Sequence, residues 1–231
     1  IVGAHNFTLG QLREGRATVY HGGSSGLATI AAWSVLGNQA DAYFGYAVAS
    51  AGDVNGDGYA DVIVGAYRYD NGEVDEGRAS VYHGSVSGLS VTAAWTAEGN
   101  QASAVFGFAV ASAGDVNGDG YSEVLVGAPS YDNGQSNEGR AFLYQGSAAG
   151  LATSADWTAE SDQVNATLGY AVAGAGDVNG DGYAEVLVSA PDYSNGQLQE
   201  GRAFLYQGNS SGLADAAGWT AVGAQASANF G

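Results

Sequence analysis

Asp53–Asp61 reads DVNGDGYAD, Asp115–Glu123 reads DVNGDGYSE and Asp177–Glu185 reads DVNGDGYAE, each segment beginning 62 residues after the one before. Oxygen-bearing side chains stand at the first, third, fifth and ninth positions: Asp53, Asn55, Asp57 and Asp61; Asp115, Asn117, Asp119 and Glu123; Asp177, Asn179, Asp181 and Glu185. Such a spacing lets four side chains turn inward onto one cation. A hard ion such as calcium takes about 6–8 oxygen ligands at about 2.3–2.6 Å, so a backbone carbonyl at the seventh position (Tyr59, Tyr121, Tyr183) and a water are expected to complete each shell. The glycines between the acids permit the positive φ that so tight a wrap requires. About three calcium sites are therefore expected. Magnesium fits less well, because it demands near-octahedral geometry and holds its waters.

Two other readings of the loop are weaker. It begins like an EF-hand loop, but an EF-hand runs on to a bidentate Glu and is flanked by helices. Here the acid comes at position nine, and the strand-like runs Val62-Ile63-Val64, Val124-Leu125-Val126 and Val186-Leu187-Val188 follow at once. Asn-Gly and Asp-Gly are also hairpin-turn chemistry. A turn needs only one or two such residues, whereas three acids in each of three copies repel one another without a cation.

The period of 62 extends beyond the loops, through Trp33, Trp95, Trp157 and Trp219 and through Gly15, Gly77, Gly139 and Gly201. Each unit reads as four strands: Phe44 to Ser50, Tyr59 to Ala66, Gly77 to His83 and Ala93 to Ala97 in one copy. No segment has helical periodicity. The expected fold is all-β, a β-propeller of four-stranded blades, with units at about 1–43, 44–105, 106–167 and 168–229. A β-solenoid is the competing architecture, but its coils are usually much shorter. Ile1-Val2-Gly3-Ala4 aligns with Ile63-Val64-Gly65-Ala66 and Phe230-Gly231 with Phe44-Gly45, so the 231 residues span just under four repeats, and both ends are expected to fall inside a repeat of a longer array.

Composition narrows the function. There are 24 acidic residues, 6 basic ones, no cysteine and no methionine, for a net charge of −18. A polyanion is repelled by such a chain, which argues against a nucleic-acid partner. Three divalent cations in the loops would bring −18 to −12. Disulfides, thiolate nucleophiles and zinc–thiolate sites are excluded by the lack of cysteine. No 18-residue apolar run offers a membrane span.

Nothing reads as a catalytic constellation, so the chain is not expected to be an enzyme. His21 and His83 share a repeat position with Gln145 and Gln207, and Gln cannot serve as a general base. Glu14-Gly15-Arg16 recurs as Glu76-Gly77-Arg78, Glu138-Gly139-Arg140 and Glu200-Gly201-Arg202. These are expected to form ion pairs at strand starts. The tryptophans are expected to pack between adjacent sheets.

Phe44-Gly45-Tyr46, Phe106-Gly107-Phe108 and Leu168-Gly169-Tyr170 open the units, while Gly127-Ala128-Pro129 and Ser189-Ala190-Pro191 end the second strands. With the acidic loop between them, the chain resembles the FG-GAP repeat family, best known from the propeller heads of integrin alpha subunits. The resemblance implies a D-x-[DN]-x-D-G-x-x-D calcium loop in each blade. Departures are Glu123 and Glu185 at the ninth position, Tyr67 for the proline and Leu168 for the phenylalanine. It further implies a secreted or cell-surface adhesion or interaction scaffold with a protein or glycan ligand, able to assemble with further repeats or another chain. A propeller lectin with sugar sites between blades and a non-catalytic domain of a larger secreted enzyme, such as a phospholipase, are the alternatives.

Overall fold

The computed structural model describes residues 1–231 and contains strands and turns but no helix. Three four-stranded antiparallel sheets follow one another along the chain. They comprise Val48–Gly52, Asp61–Ala66, Arg78–Tyr82 and Trp95–Glu98; then Ala109–Gly114, Glu123–Ala128, Arg140–Tyr144 and Trp157–Glu160; then Val172–Gly176, Glu185–Ala190, Arg202–Tyr206 and Trp219–Val222. A three-stranded sheet of Val2–Ala4, Arg16–Val19 and Trp33–Leu36 precedes them. We number these sheets one to four in chain order. Each is a meander, as a blade of a β-propeller is, and the series is open rather than closed into a ring.

The core lies between sheets. Apolar residues of sheets one and two form one cluster, those of two and three a second, and those of three and four a third. This explains the second strands, where Asp61–Ala66 and Glu123–Ala128 are buried at every residue. A strand covered on both faces takes a continuous apolar run rather than an alternating one. Trp33, Trp95 and Trp157 do pack between sheets: each is buried, and each indole N–H donates to a carbonyl of the following sheet, Ser90 (2.7 Å), Ala152 (2.8 Å) and Ala214 (3.1 Å). Trp219, with no sheet beyond it, is 51% exposed against 6% for Trp33.

The strands begin later than the sequence suggests. Phe44 lies before the first strand of its sheet, bridging in parallel to Gly15 of the preceding sheet, as Phe106 does to Gly77 and Leu168 to Gly139. The next glycine takes φ near +80° (Gly45, +80; Gly107, +81), turning the chain into the strand. There Gly107 meets Gly65, the last residue but one of the previous sheet's second strand, and Gly169 meets Gly127 in the same way. A Cβ on Gly65 would overlap the Gly107 carbonyl oxygen, and one on Gly127 would overlap that of Gly169. The opening and closing motifs are thus two halves of one backbone contact between blades.

The Glu-Gly-Arg repeats correct an expectation. Glu14, Glu76, Glu138 and Glu200 are buried, and none pairs with an arginine. Instead each carboxylate accepts backbone N–H groups of its own loop, as Glu76 does from Asn71 (2.6 Å) and Glu200 from Asn195 (2.6 Å). Glu14 receives N–H bonds from Gly10, Leu9 and Gln11, and the Gly10 bond leads in holding its pKa below the ordinary value. The arginines lie over aromatic rings, Arg78 over Tyr69 (4.8 Å) and Arg140 over Tyr131 (5.3 Å). The one ion pair within these motifs' strands joins Arg78 to Glu98 at 3.6 Å.

Candidate metal centres

Each acidic loop joins the first and second strands of sheets two, three and four. A bulge precedes it, with the register shifting between Ser50 and Gly52, Ser112 and Gly114, and Gly174 and Gly176. The shift sets Asp61 opposite Gly52, Glu123 opposite Gly114 and Glu185 opposite Gly176. A bulge re-aims the side chain that follows it. Here it brings the ninth residue under the loop, fully buried in all three copies.

Inside the loop the first acid organises the backbone. Asp53 Oδ1 accepts from the Gly56 (2.7 Å) and Asp57 (3.1 Å) amides, and Oδ2 accepts from Gly58 (2.8 Å). Asp115 and Asp177 repeat this with Gly118, Asp119 and Gly120 and with Gly180, Asp181 and Gly182. The bonds from Gly182 and its neighbours hold the Asp177 carboxyl below the ordinary aspartate range. Asn55, Asn117 and Asn179 accept from the amides of Asp57, Asp119 and Asp181 and direct their own Nδ2 at the same aspartates' Oδ2. The amides of Tyr59, Tyr121 and Tyr183 close the turn on those aspartates' Oδ1.

The three copies differ at position nine. Asp61 is held by the backbone, Oδ2 accepting from Val54 N (2.9 Å) and Oδ1 from Gly84 N (2.7 Å); burial nonetheless pushes its pKa up. Glu123 uses Oε2 for Val116 N (2.7 Å), while its Oε1 is buried with no hydrogen bond of ordinary geometry, although the Gly146 amide still acts to lower its pKa. Burial first, then the charges of Asp119 and Asp115, push the Glu123 carboxyl to about 7. Glu185 reaches farthest into its loop: oxygens of Asp177, Asp181 and Glu185 lie within 4.8 Å of one another. Only in this last loop do the three carboxylates converge; Glu185 Oε1 there accepts from Asn179 Nδ2 (3.1 Å), a bond that neither Asp61 nor Glu123 makes, and the first two loops do not bring their acids together in this way.

This donor set fits a divalent cation. It is all oxygen, and three carboxylates converge in the last loop, where a cation would balance their charge.

Contacts between the loops form a second layer. The Ser122 amide, in the loop of sheet three, donates to the Asp53 carbonyl (2.9 Å), and Ser147 N donates to the Val54 carbonyl (3.1 Å). Ala184 and Asn209 repeat the pattern on Asp115 (2.9 Å) and Val116 (3.1 Å). Gly56 also lies under the Tyr121 ring, where a Cβ would come within 2.6 Å of it. The first two acidic loops are therefore also docking points for the next blade.

The same three segments that carry these features match the FG-GAP repeat pattern: residues 44–82, 106–144 and 168–206. The chain belongs to the FG-GAP repeat family. Relatives of this FG-GAP chain include integrin alpha-PS2 of Drosophila melanogaster, 36% identical over 72% of the chain. Integrin alpha-V of Gallus gallus is 34% identical over 68%, and the phosphatidylinositol-glycan-specific phospholipase D of Rattus norvegicus is 36% identical over 69%. The matched region makes up 12%, 16% and 20% of those proteins respectively.

Residues the sequence reading passed over complete the blade contacts. Gln39 donates to the Asp70 carbonyl (2.8 Å) and accepts from its amide (2.8 Å); Gln101 does the same with Asp132 and Gln163 with Ser194. Each side-chain amide thus latches one blade to the outer loop of the next. The signal was present as a glutamine at period 62, but a periodic polar residue carries no hint of its backbone partner. Replacing Gln101 with Ala breaks two hydrogen bonds and is expected to cost about 1–2 kcal/mol in urea unfolding. An unchanged midpoint would show that the latch carries no stability.

At the opposite end of the first strands from the acidic loops, Tyr46, Phe108 and Tyr170 form a row with ring centroids 5.0 Å apart. Tyr67, which replaces the proline, joins it at 4.6 Å from Tyr46. No helix is long and apolar enough to cross a membrane.

Proposed function

We propose that the FG-GAP chain is a calcium-stabilised, non-catalytic scaffold for adhesion or interaction outside the cell or at its surface, organised in 62-residue units. The metal ligands are Asp53, Asn55, Asp57, the Tyr59 carbonyl and Asp61, with the corresponding residues at 115–123 and 177–185. Calcium supplies the charge that lets three carboxylates share one hairpin, and it couples folding to its own concentration. The chain's own residues do the rest. The first acid fixes the loop amides, the ninth anchors the second strand, and the loop carbonyls at Asp53 and Val54 hold the next blade. The observation that carries this reading is the convergence of the Asp177, Asp181 and Glu185 carboxylate oxygens to within 4.8 Å of one another.

Equilibrium dialysis of the chelator-stripped protein against calcium is expected to find three ions per chain, and two for Glu123→Gln. Equal stoichiometry in the two proteins, or none in either, would overturn the assignment.

A second reading has its own observation. Equivalent clefts of about 530 Å³ and 470 Å³ open between sheets one and two and between two and three. The first is lined by Tyr69, Arg78 and Tyr82, the second by Tyr131, Arg140 and Tyr144; Arg140 Nε is buried without a hydrogen-bond partner, while Arg78 Nε faces Glu98 at 3.6 Å. These clefts favour a polar small ligand such as a sugar. The tryptophans no longer support it, since three of the four are packed away. A flat glycan-array response would remove this reading. The phospholipase relative keeps open the role of a domain beside a separate catalytic unit.

A further inference from the structure

The chain contains six Asn-Gly pairs, at Asn55, Asn71, Asn117, Asn133, Asn179 and Asn195. At such a pair the glycine amide nitrogen can reach the asparagine side-chain carbonyl, because glycine places no Cβ in the path. In the acidic loops that nitrogen is held: Gly56, Gly118 and Gly180 donate to Asp53, Asp115 and Asp177 at 2.6–2.7 Å. The other three pairs lie in the outer loops between second and third strands, where Gly72, Gly134 and Gly196 have φ of +106, +112 and +100° and open space on the Cβ side. Their N–H groups make no intramolecular hydrogen bond.

What separates these three is the side-chain amide. Asn71 Nδ2 donates to Glu98 (2.8 Å), and Asn133 Nδ2 donates to both oxygens of Glu160 (2.9 Å each). Glu98 and Glu160 stand opposite Arg78 and Arg140 in their sheets; in sheet four the residue opposite Arg202 is Val222. Asn195 therefore has no carboxylate to tether it. It is also exposed.

We propose that Asn195 is a site of spontaneous conversion to isoaspartate. The Gly196 nitrogen gives its proton to solvent base and attacks Asn195 Cγ. The new C–N bond closes a five-membered succinimide, the Cγ–Nδ2 bond breaks, and nitrogen leaves as ammonia with a proton from water. Hydrolysis at one imide carbonyl gives aspartate. At the other it gives isoaspartate, whose main chain runs through the former side chain. The step needs water alone.

The product bears on the blade contact. Asn195 N donates to buried Glu200, and the adjoining Ser194 is the residue that Gln163 latches. A lengthened backbone and a new carboxylate beside Glu200 weaken that latch between sheets three and four.

Incubating the folded, calcium-loaded chain at mildly alkaline pH, with peptide mapping by mass and by isoaspartyl-specific methylation, tests the assignment. Asn195 is expected to convert about tenfold faster than Asn71 or Asn133, since those must first break a charge-assisted hydrogen bond. Val222→Glu, which restores the tether, is expected to slow Asn195, and Glu98→Val to speed Asn71. Equal rates at the three outer pairs, or an Asn195 rate unmoved by Val222→Glu, would overturn it.

Discussion

Stripping calcium from the FG-GAP chain is expected to lower its thermal midpoint by roughly 15–30 °C. A site held at a hundred times its dissociation constant contributes ~2.7 kcal/mol, so three contribute about 8 kcal/mol. In a protein of this size each kcal/mol moves the midpoint by roughly 2–4 °C. The effect is large because the metal-free loops are unfavourable in themselves. Burial pushes Glu123 to about 7 and also raises Asp61, so the metal-free fold disfavours the anionic carboxylates that a cation would stabilise. Calcium added back restores the midpoint, and magnesium at equal ionic strength restores less because it will not accept the loop's irregular shell. A scan that superimposes with and without chelator would reduce the loops to turns.

The second large effect concerns no charge at all. Gly127→Ala is expected to destabilise by about 3 kcal/mol, the upper end of the range for overpacking. The added methyl overlaps the Gly169 carbonyl oxygen. Because that atom is backbone, held through the Gly169 amide to the Ser189 carbonyl (2.9 Å), no rotamer change relieves the clash. The control is Gly134→Ala in the open outer loop, where the only penalty is a left-handed φ worth about 1–2 kcal/mol. Equal costs measured by urea unfolding would mean that the glycine pair is not the close contact between blades.

Much of this was legible in the sequence, and the reason is periodicity. The spacing of the acidic loops, the apolar runs after them and the recurring tryptophans each mark a local feature, and their common period of 62 makes a four-stranded unit readable without long-range information. Contacts between units were less legible. Phe44 looked like the start of a strand, yet it belongs to the seam with the preceding blade, because its partner Gly15 is 29 residues away. Glu76 and Arg78 looked like an ion pair because opposite charges stood two residues apart; the strand start sends them to different surroundings, one to loop amides and the other to an aromatic face. The glutamine latches escaped for the same reason, since a side chain that bonds backbone in another blade leaves no complementary residue to notice.

The candidate site divides along the same line. Positions one, three and five are set by local turn geometry and fall where the spacing puts them. Position nine depends on tertiary packing. There Asp61 accepts one backbone amide on each oxygen, whereas Glu185 stands within 4.8 Å of the Asp177 and Asp181 carboxylates.

The central claim is that calcium in one loop fixes the blade that follows. Amide hydrogen exchange at Ser122, Ser147, Ala184 and Asn209 tests it directly, because these N–H groups donate to the Asp53, Val54, Asp115 and Val116 carbonyls of the preceding loops. Under conditions where the metal-free chain remains folded, calcium is expected to slow exchange at all four while leaving the Asn71 and Asn133 amides of the outer loops little changed. Unchanged exchange at the four amides, with calcium bound, would contradict the account.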